Sequence, residues 1–280
     1  MRLVFLGSPD DAVPTLRALV DAGHEVALVV TQPDRRRGRG SGTAPSPVNA
    51  AALELGLDVR TPSRAREVVD EVWASGAELG VVVAFGQLLP DELLEALPHG
   101  FVNLHFSLLP RWRGAAPVER VILAGDTDTG VCVMRIDSGL DTGPVYACER
   151  TPIDPDETAG ELRARLVELG TRLMVETLPR VPELEPQPQQ GEPTYADKLT
   201  VDEFRIDWFR PADEIMRVIR AGNPRPGAWT TVEGKRLKIW RATRNDQGVV
   251  EPVEVQPEGR PRMTWEAWRR GHPGTPVLGT

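Results

Sequence analysis

The residues able to do chemistry gather in two short blocks. Asn103-Leu104-His105-Phe106-Ser107-Leu108-Leu109-Pro110 closes an apolar run with a proline turn, and Gly139-Leu140-Asp141-Thr142-Gly143 sets a carboxylate between glycines. Asn103 and His105 are two residues apart, so at a strand end they share one face. The set offers an amide donor, a titratable imidazole and an acid able to orient it. Such a trio suits attack on a carbonyl, where an oxyanion needs donors and an amine must lose a proton. Taken singly, His105 reads as a partly buried histidine and Asp141 as a turn cap. A polar Asn and His ending an apolar strand are costly to bury without partners, and that tips the reading to an acyl-transfer site.

A second feature is the basic, glycine-rich run Asp34-Arg35-Arg36-Arg37-Gly38-Arg39-Gly40-Ser41-Gly42. It has neither the Lys-Ser/Thr ending of a phosphate-binding P-loop nor Gly-x-Gly-x-x-Gly at a strand-to-helix turn. Glycine supplies mobility and arginine supplies phosphate affinity, so the run reads as a lid over an anionic substrate. Gly7-Ser8-Pro9 is no dinucleotide fingerprint. The four histidines (His24, His99, His105, His272) are scattered and no Cys-x-x-Cys occurs, so no metal is expected. Cys132 and Cys148 flank the Asp141 block and read as packing thiols rather than a disulfide.

Alternating strands and helices must position these groups. Apolar runs predict strands at 3–6, 25–31, 81–85, 101–105 and 130–136, with helical spacing at 10–21, 47–55, 91–97 and 117–124. That order predicts an α/β fold with an open, mostly parallel Rossmann-like sheet, whose ligands sit beyond the carboxyl ends of the strands. His105 and the turn after Phe85 both fall there. Residues 158–178 predict a long amphipathic helix, and 212–221 another. The Pro-, Glu- and Gln-rich stretch 179–193 reads as an extended surface linker. Trp229-Thr230-Thr231-Val232, Leu237-Lys238-Ile239-Trp240 and 249–255 predict a small β-rich part.

A chain of 280 residues holds two domains comfortably. No apolar stretch reaches the ~20 residues of a bilayer span, and the start lacks a signal-peptide core, so a cytoplasmic protein without a membrane anchor is expected. The net charge of −8 is uneven. Residues 194–280 carry a small basic surplus and the remainder is acidic, which leaves room for nucleic-acid contact.

With these blocks in hand, the chain resembles the bacterial methionyl-tRNA formyltransferase family of folate-dependent formyltransferases. The resemblance is carried by Thr31-Gln32-Pro33-Asp34, Gly38-Arg39-Gly40, Pro45-Ser46-Pro47-Val48, Val82-Val83-Ala84-Phe85-Gly86, the Asn103-to-Pro117 block, Gly139 to Gly143, Arg205-Ile206-Asp207-Trp208 and Val255-Gln256-Pro257. It implies transfer of a formyl group from 10-formyltetrahydrofolate to the α-amine of initiator methionyl-tRNA, without a metal. Asn103, His105 and Asp141 would be catalytic. Phe85, Gly86, Gln87, Leu88, Ser107, Leu108, Leu109 and Pro110 would line the folate site. Arg35, Arg36, Arg37 and Arg39 would grip the tRNA acceptor stem. A formyltransferase domain would span 1–182, a linker 183–193, and a shortened OB-like domain 194–280, in a monomer.

The chain departs from the family where Ser41-Gly42, Asn49 and Gly259-Arg260-Pro261 replace usual lysines. A barrel segment is also absent between Arg241 and Val249. These differences bear on tRNA binding and leave the transfer chemistry untouched. The alternatives are a paralogue acting on a small amine such as an amino sugar, a hydrolase using water as acceptor, and a non-catalytic RNA-binding protein on the same scaffold.

Overall fold

The computed structural model describes residues 1–36, 43–272 and 278–279. They form two compact units: Met1–Ala115, Gly130–Thr151 and Ala164–Tyr195 make the first, and Ala116–Thr129, Pro152–Arg163 and Ala196–Thr280 the second.

The chain opens with β1 (Arg2–Gly7), α1 (Val13–Asp21) and β2 (Glu25–Val30), then a two-rung hairpin, β3 (Arg35–Arg36) and β4 (Thr43–Ala44). There follow α2 (Pro47–Glu54), β5 (Val59–Arg60), α3 (Val69–Ala74), β6 (Leu79–Val83), α4 (Asp91–Leu94) and β7 (Phe101–His105). After β8 (Arg113–Gly114) and α5 (Pro117–Ala124) come β9 (Asp128–Arg135), β10 (Val145–Pro152) and the long α6 (Ala159–Thr177). The main sheet has the order β10-β9-β7-β6-β1-β2-β5. β1 pairs in parallel with both β2 and β6, β6 with β7, and β2 with β5, while β9 runs antiparallel to β7. Leu3, Val4, Phe5 and Leu6 are wholly buried, as expected of a strand covered on both faces.

The expected open, mostly parallel α/β sheet is therefore present. Its strand β6 stops at Val83 rather than Phe85, because Ala84 and Gly86 take positive φ (47° and 79°) and turn the chain out of the ladder. The predicted helix 91–97 shrinks to Asp91–Leu94. β10 was not foreseen: its apolar start, Val145-Tyr146-Ala147-Cys148, gives way at once to Glu149-Arg150, and as the outermost strand it mixes half-buried and exposed residues.

β11 (Tyr195–Ala196) has one residue in each unit, and the second unit continues with α7 (Ala212–Ala221), β12 (Ala228–Val232), β13 (Lys235–Arg244), β14 (Val250–Pro257), β15 (Met263–Thr264) and α8 (Trp265–Arg270). β12-β13-β14-β15 form a four-stranded sheet whose neighbours pair antiparallel. Leu237, Ile239 and Val255 pack beneath it with Ile215 and Ile219 of α7. The Glu233-Gly234 turn between β12 and β13 has both residues at positive φ, the geometry of a two-residue hairpin loop.

α6 starts with a capping box. The Thr158 amide and hydroxyl both donate to Glu161 Oε2 (2.9 and 2.6 Å), and the Glu161 amide donates back to Thr158 Oγ1 at 3.3 Å. The Thr158 side-chain and backbone bonds, and then the Arg241 guanidinium, hold the Glu161 carboxyl down to about 2. A lowered carboxyl contributes stability above its unfolded value and loses it as pH falls toward the folded one. Glu161→Gln is expected to cost about 1 kcal/mol at neutral pH. In urea unfolding the variant should converge on the parent between pH ~5 and ~2, and a constant difference over that range would count against the box.

Candidate active site

β7 delivers the first two groups. Asn103 pairs across the ladder with Met134, and His105 with Cys132. Asn103 is half-buried, and among the described residues its carboxamide has no hydrogen-bond partner. His105 is only 5% exposed, so its ring is set mainly by protein neighbours. Its Nε2 lies 2.9 Å from the Trp112 carbonyl oxygen. A carbonyl only accepts, so Nε2 carries a proton, and Nδ1 is the nitrogen turned toward Asp141, 3.6 Å from Oδ2.

The turn after β7 supplies that carbonyl. Ser107 Oγ donates to the Arg111 carbonyl at 2.6 Å, and the Arg111 amide to Leu108 O at 3.0 Å. Trp112 sits at φ 63°, with its amide donating to Thr194 Oγ1 at 2.9 Å. Two residues on, the Gly114 amide donates to Asp141 Oδ2 at 2.7 Å.

Asp141 lies in the 136–144 loop joining β9 to β10, at φ 52°, a conformation that Asp tolerates better than most residues. Gln189 Nε2 donates to the carbonyls of Asp141 and Gly143, both at 2.8 Å. Gln189 Oε1 in turn accepts from Arg113 Nε and Nη2, at 3.0 and 2.7 Å. Asp137 Oδ1 accepts from the Gly139 amide and the Thr142 hydroxyl at the loop's other end. Among the described residues Asp141 Oδ1 has no hydrogen-bond partner.

Sequence reading missed Gln189 because it lies in the polar stretch taken for a surface linker. Its only signal is that Gln187 joins Val145 in an isolated antiparallel bridge, a contact no local pattern announces.

The expected folate-lining residues divide. Phe85, Ser107 and Pro110 are buried in the chain's own packing, and the Phe85 carbonyl accepts from Gln32 Nε2 at 2.8 Å. Leu88 is 76% exposed, and Leu108 and Leu109 are half-buried. Gly86 and Gln87, with Gln32, Pro33, Asp34 and Ser63, line a cavity of about 470 Å³ beyond the carboxyl ends of β2 and β6. Gly86 at φ 79° leaves no room there: a Cβ would lie 2.7 Å from Gln32 Nε2.

Of the four arginines expected to meet an anionic partner, Arg35 and Arg36 pair with Ala44 and Thr43 in the β3–β4 hairpin. Arg37 and Arg39 lie outside the described residues. Among the described residues no three His, Cys, Asp or Glu side chains gather to hold a metal ion, and no helix is long and apolar enough to cross a membrane.

The reading of Cys132 and Cys148 as packing thiols is overturned: they form a disulfide. Consecutive strands joined by so short a loop can pair only antiparallel, and the hairpin sets the two cysteines opposite each other. Sequence spacing shows no such pairing, because a nine-residue loop, here 136–144, fixes no register of its own.

An open α/β sheet with an amide and an imidazole on one strand, and a carboxylate on a loop beside the imidazole, fits a group-transfer enzyme. Residues 1–178 match the family described as formyl transferase, and 198–248 match its C-terminal domain. Methionyl-tRNA formyltransferase of Ruegeria pomeroyi is 52% identical over 259 residues, covering 91% of this chain and 85% of that protein. The enzyme of the same name from Cereibacter sphaeroides (strain ATCC 17029) is 47% identical over 98% of this chain and 97% of its own. In fold, an N-formyltransferase from Helicobacter canadensis, solved with folinic acid and dTDP-3-aminofucose, superposes with a TM-score of 0.68 at 20% identity, covering 87% of this chain and 88% of that one. The chain belongs to the methionyl-tRNA formyltransferase family and is a folate-dependent formyltransferase.

Gln189→Ala removes both carbonyl bonds that hold the Asp141 loop. About tenfold lower kcat, with KM for the formyl donor within about twofold, is expected. A parental kcat in the folded variant would show that the loop is held without Gln189.

Proposed function

We propose that the protein transfers the formyl group of 10-formyltetrahydrofolate to the α-amine of initiator methionyl-tRNA, as a cytoplasmic monomer with no bound metal. The relatives at about half identity over nearly the full chain support this acceptor. The single observation that carries the chemistry is the placement of His105 between the Trp112 carbonyl and Asp141, beside the unpartnered Asn103 amide.

The uncharged amine attacks the formyl carbon, and the carbonyl pair moves onto oxygen. The Asn103 amide donates to that oxyanion, a contribution of ~3 kcal/mol on the scale of oxyanion-hole donors. As the new C–N bond forms, the amine proton passes to Asp141, whose Oδ1 is open, and is shared with His105 Nδ1. The imidazolium so formed adds positive charge beside Asn103. Collapse of the intermediate breaks the bond to N10, which takes that proton from the Asp141–His105 pair, leaving tetrahydrofolate, the formylated amine and the pair as it began. Holding amine and donor together supplies much of the remaining acceleration.

Gly86, Gln87, Leu88, Leu108 and Leu109 are proposed to meet the folate directly, while Phe85, Ser107 and Pro110 shape its wall from behind. The Arg35, Arg36, Arg37 and Arg39 run is proposed to meet the acceptor stem. We assign the chemistry to residues 1–182 and the support of the tRNA to residues 194–280, joined by 183–193. The second unit offers cations for that role. Exposed Arg236 and Arg205 lie over the Trp229 ring at 3.9 and 5.6 Å, and Arg262 over Trp240 at 3.7 Å. Arg236 and Lys238 alternate with buried Leu237 and Ile239, so both cations share the outward face of β13.

His105→Ala and Asp141→Asn are each expected to lower kcat at least a hundredfold while folate still binds, read by single-turnover transfer to charged initiator tRNA. Rates near the parent's would reject the assignment. An amino-sugar nucleotide run in parallel, with mass analysis of both acceptors, decides the acceptor. Arg236→Ala should weaken tRNA binding uniformly and lower the salt dependence by about one counterion.

A further inference from the structure

We propose that Cys132–Cys148 is a thiol–disulfide exchange site, addressed by a dithiol reductant at Cys148, whose redox state sets how firmly Asp141 is held. The inference rests on the reading of Asp141 and His105 as the proton-handling pair. Three observations carry it. Cys132 is wholly buried and is the cross-strand partner of His105, so its side chain shares the imidazole's face of the sheet. Cys148 is the exposed member of the pair and lies on β10, the edge strand, so an attacking thiolate comes from its side. The bond closes the hairpin whose loop carries Asp141, with a sequence separation of 16, so it restrains that loop in addition to Gln189 and Asp137.

The compartment argues the same way. Translation proceeds where thiols are kept reduced, and disulfides found there are transient, catalytic or redox-sensing rather than structural. The exchange balances without a metal. A thiolate of the reductant attacks Cys148 Sγ, the bond to Cys132 breaks, and Cys132 leaves as a thiolate that takes a proton. The reductant's second thiol then attacks the mixed disulfide and releases Cys148. Two electrons pass to the protein and the reductant ends as its own disulfide; glutathione disulfide, a low-molecular-weight oxidant of the same class, reverses the change.

The full chain is treated with glutathione disulfide or with dithiothreitol, both without denaturant. Thiols are alkylated and counted by mass, hydrogen exchange of the 137–143 amides is followed, and formyl transfer is timed. Reduction should free both thiols, with Cys148 alkylated first, and should speed exchange in the loop. It should also lower kcat about fivefold, the lower end of typical coupling between sites. Cys148→Ser should match the reduced form under either reagent. A disulfide that resists dithiothreitol until the protein unfolds, or loop exchange equal in the two forms, overturns the proposal. Alkylation and exchange need no substrate. A chain inactive in both forms that still shows them supports the exchange site and counts against the catalytic reading alone.

Discussion

Residues Trp112 to Gly114 act as a template on which the site is assembled. The Trp112 carbonyl fixes the imidazole of His105, and two residues later the Gly114 amide fixes the carboxylate of Asp141. An amide aimed at a carboxylate is a charge-assisted bond, stronger than a neutral one and more demanding of geometry. The segment cannot drift, because the Trp112 amide bonds to Thr194 Oγ1 and the Arg113 amide to the Thr194 carbonyl. Gly114 takes φ 118°, which a side chain would resist, so glycine is required for the amide to face the acid. Imidazole and carboxylate therefore owe their relative position to one short strand, although they come from separate parts of the sequence.

This arrangement explains which parts of the site could be read from residues alone. Asn103 and His105 were legible because two-residue spacing at the end of an apolar strand is a local pattern, and β7 spans the predicted residues. Asp141 was legible as a carboxylate between glycines, though its partners were not. Gln189 was invisible because its role depends on a contact across 48 positions, made by a stretch whose composition says only that it is polar. The disulfide was invisible for a related reason: the short apolar start of β10 is cut off by Glu149-Arg150, and nothing local fixes the register that opposes its cysteine to Cys132. β1, β2 and β6 were readable because their interiors are apolar. Where strands alternate at an edge, or stop early at a positive φ as β6 does, local pattern loses its grip.

The two sides of the site differ in how they are held. Asn103 and His105 stand on a strand with neighbours in the ladder on both sides, and fluctuations there require the sheet to open. Asp141 stands on a loop, secured by a few discrete bonds from Gly114, Gln189 and Asp137, with the disulfide closing the hairpin at its base. Such a loop belongs to the less stable end of a protein's local equilibria, where small changes in restraint alter populations without unfolding the core. Adjustability is thereby confined to Asp141, to which the proposed mechanism gives the proton, while Asn103, its proposed oxyanion donor, stays fixed.

Asn103 shows what that fixity costs. A carboxamide half withdrawn from water with no protein partner forfeits part of its hydration, a loss of ~1–3 kcal/mol where desolvation is complete. The fold could relieve the cost with an apolar residue, as at neighbouring Val102 and Leu104, both buried in the same strand. An unpaired donor becomes useful only when charge develops in front of it, and an oxyanion forming on a bound carbonyl is such a charge. The donor is then already oriented and partly stripped of water, so little reorganisation remains for the moment of reaction. In the proposed reaction the ground-state penalty at Asn103 and the gain in the transition state are two aspects of one placement, while Trp112, Gly114 and Gln189 settle His105 and Asp141.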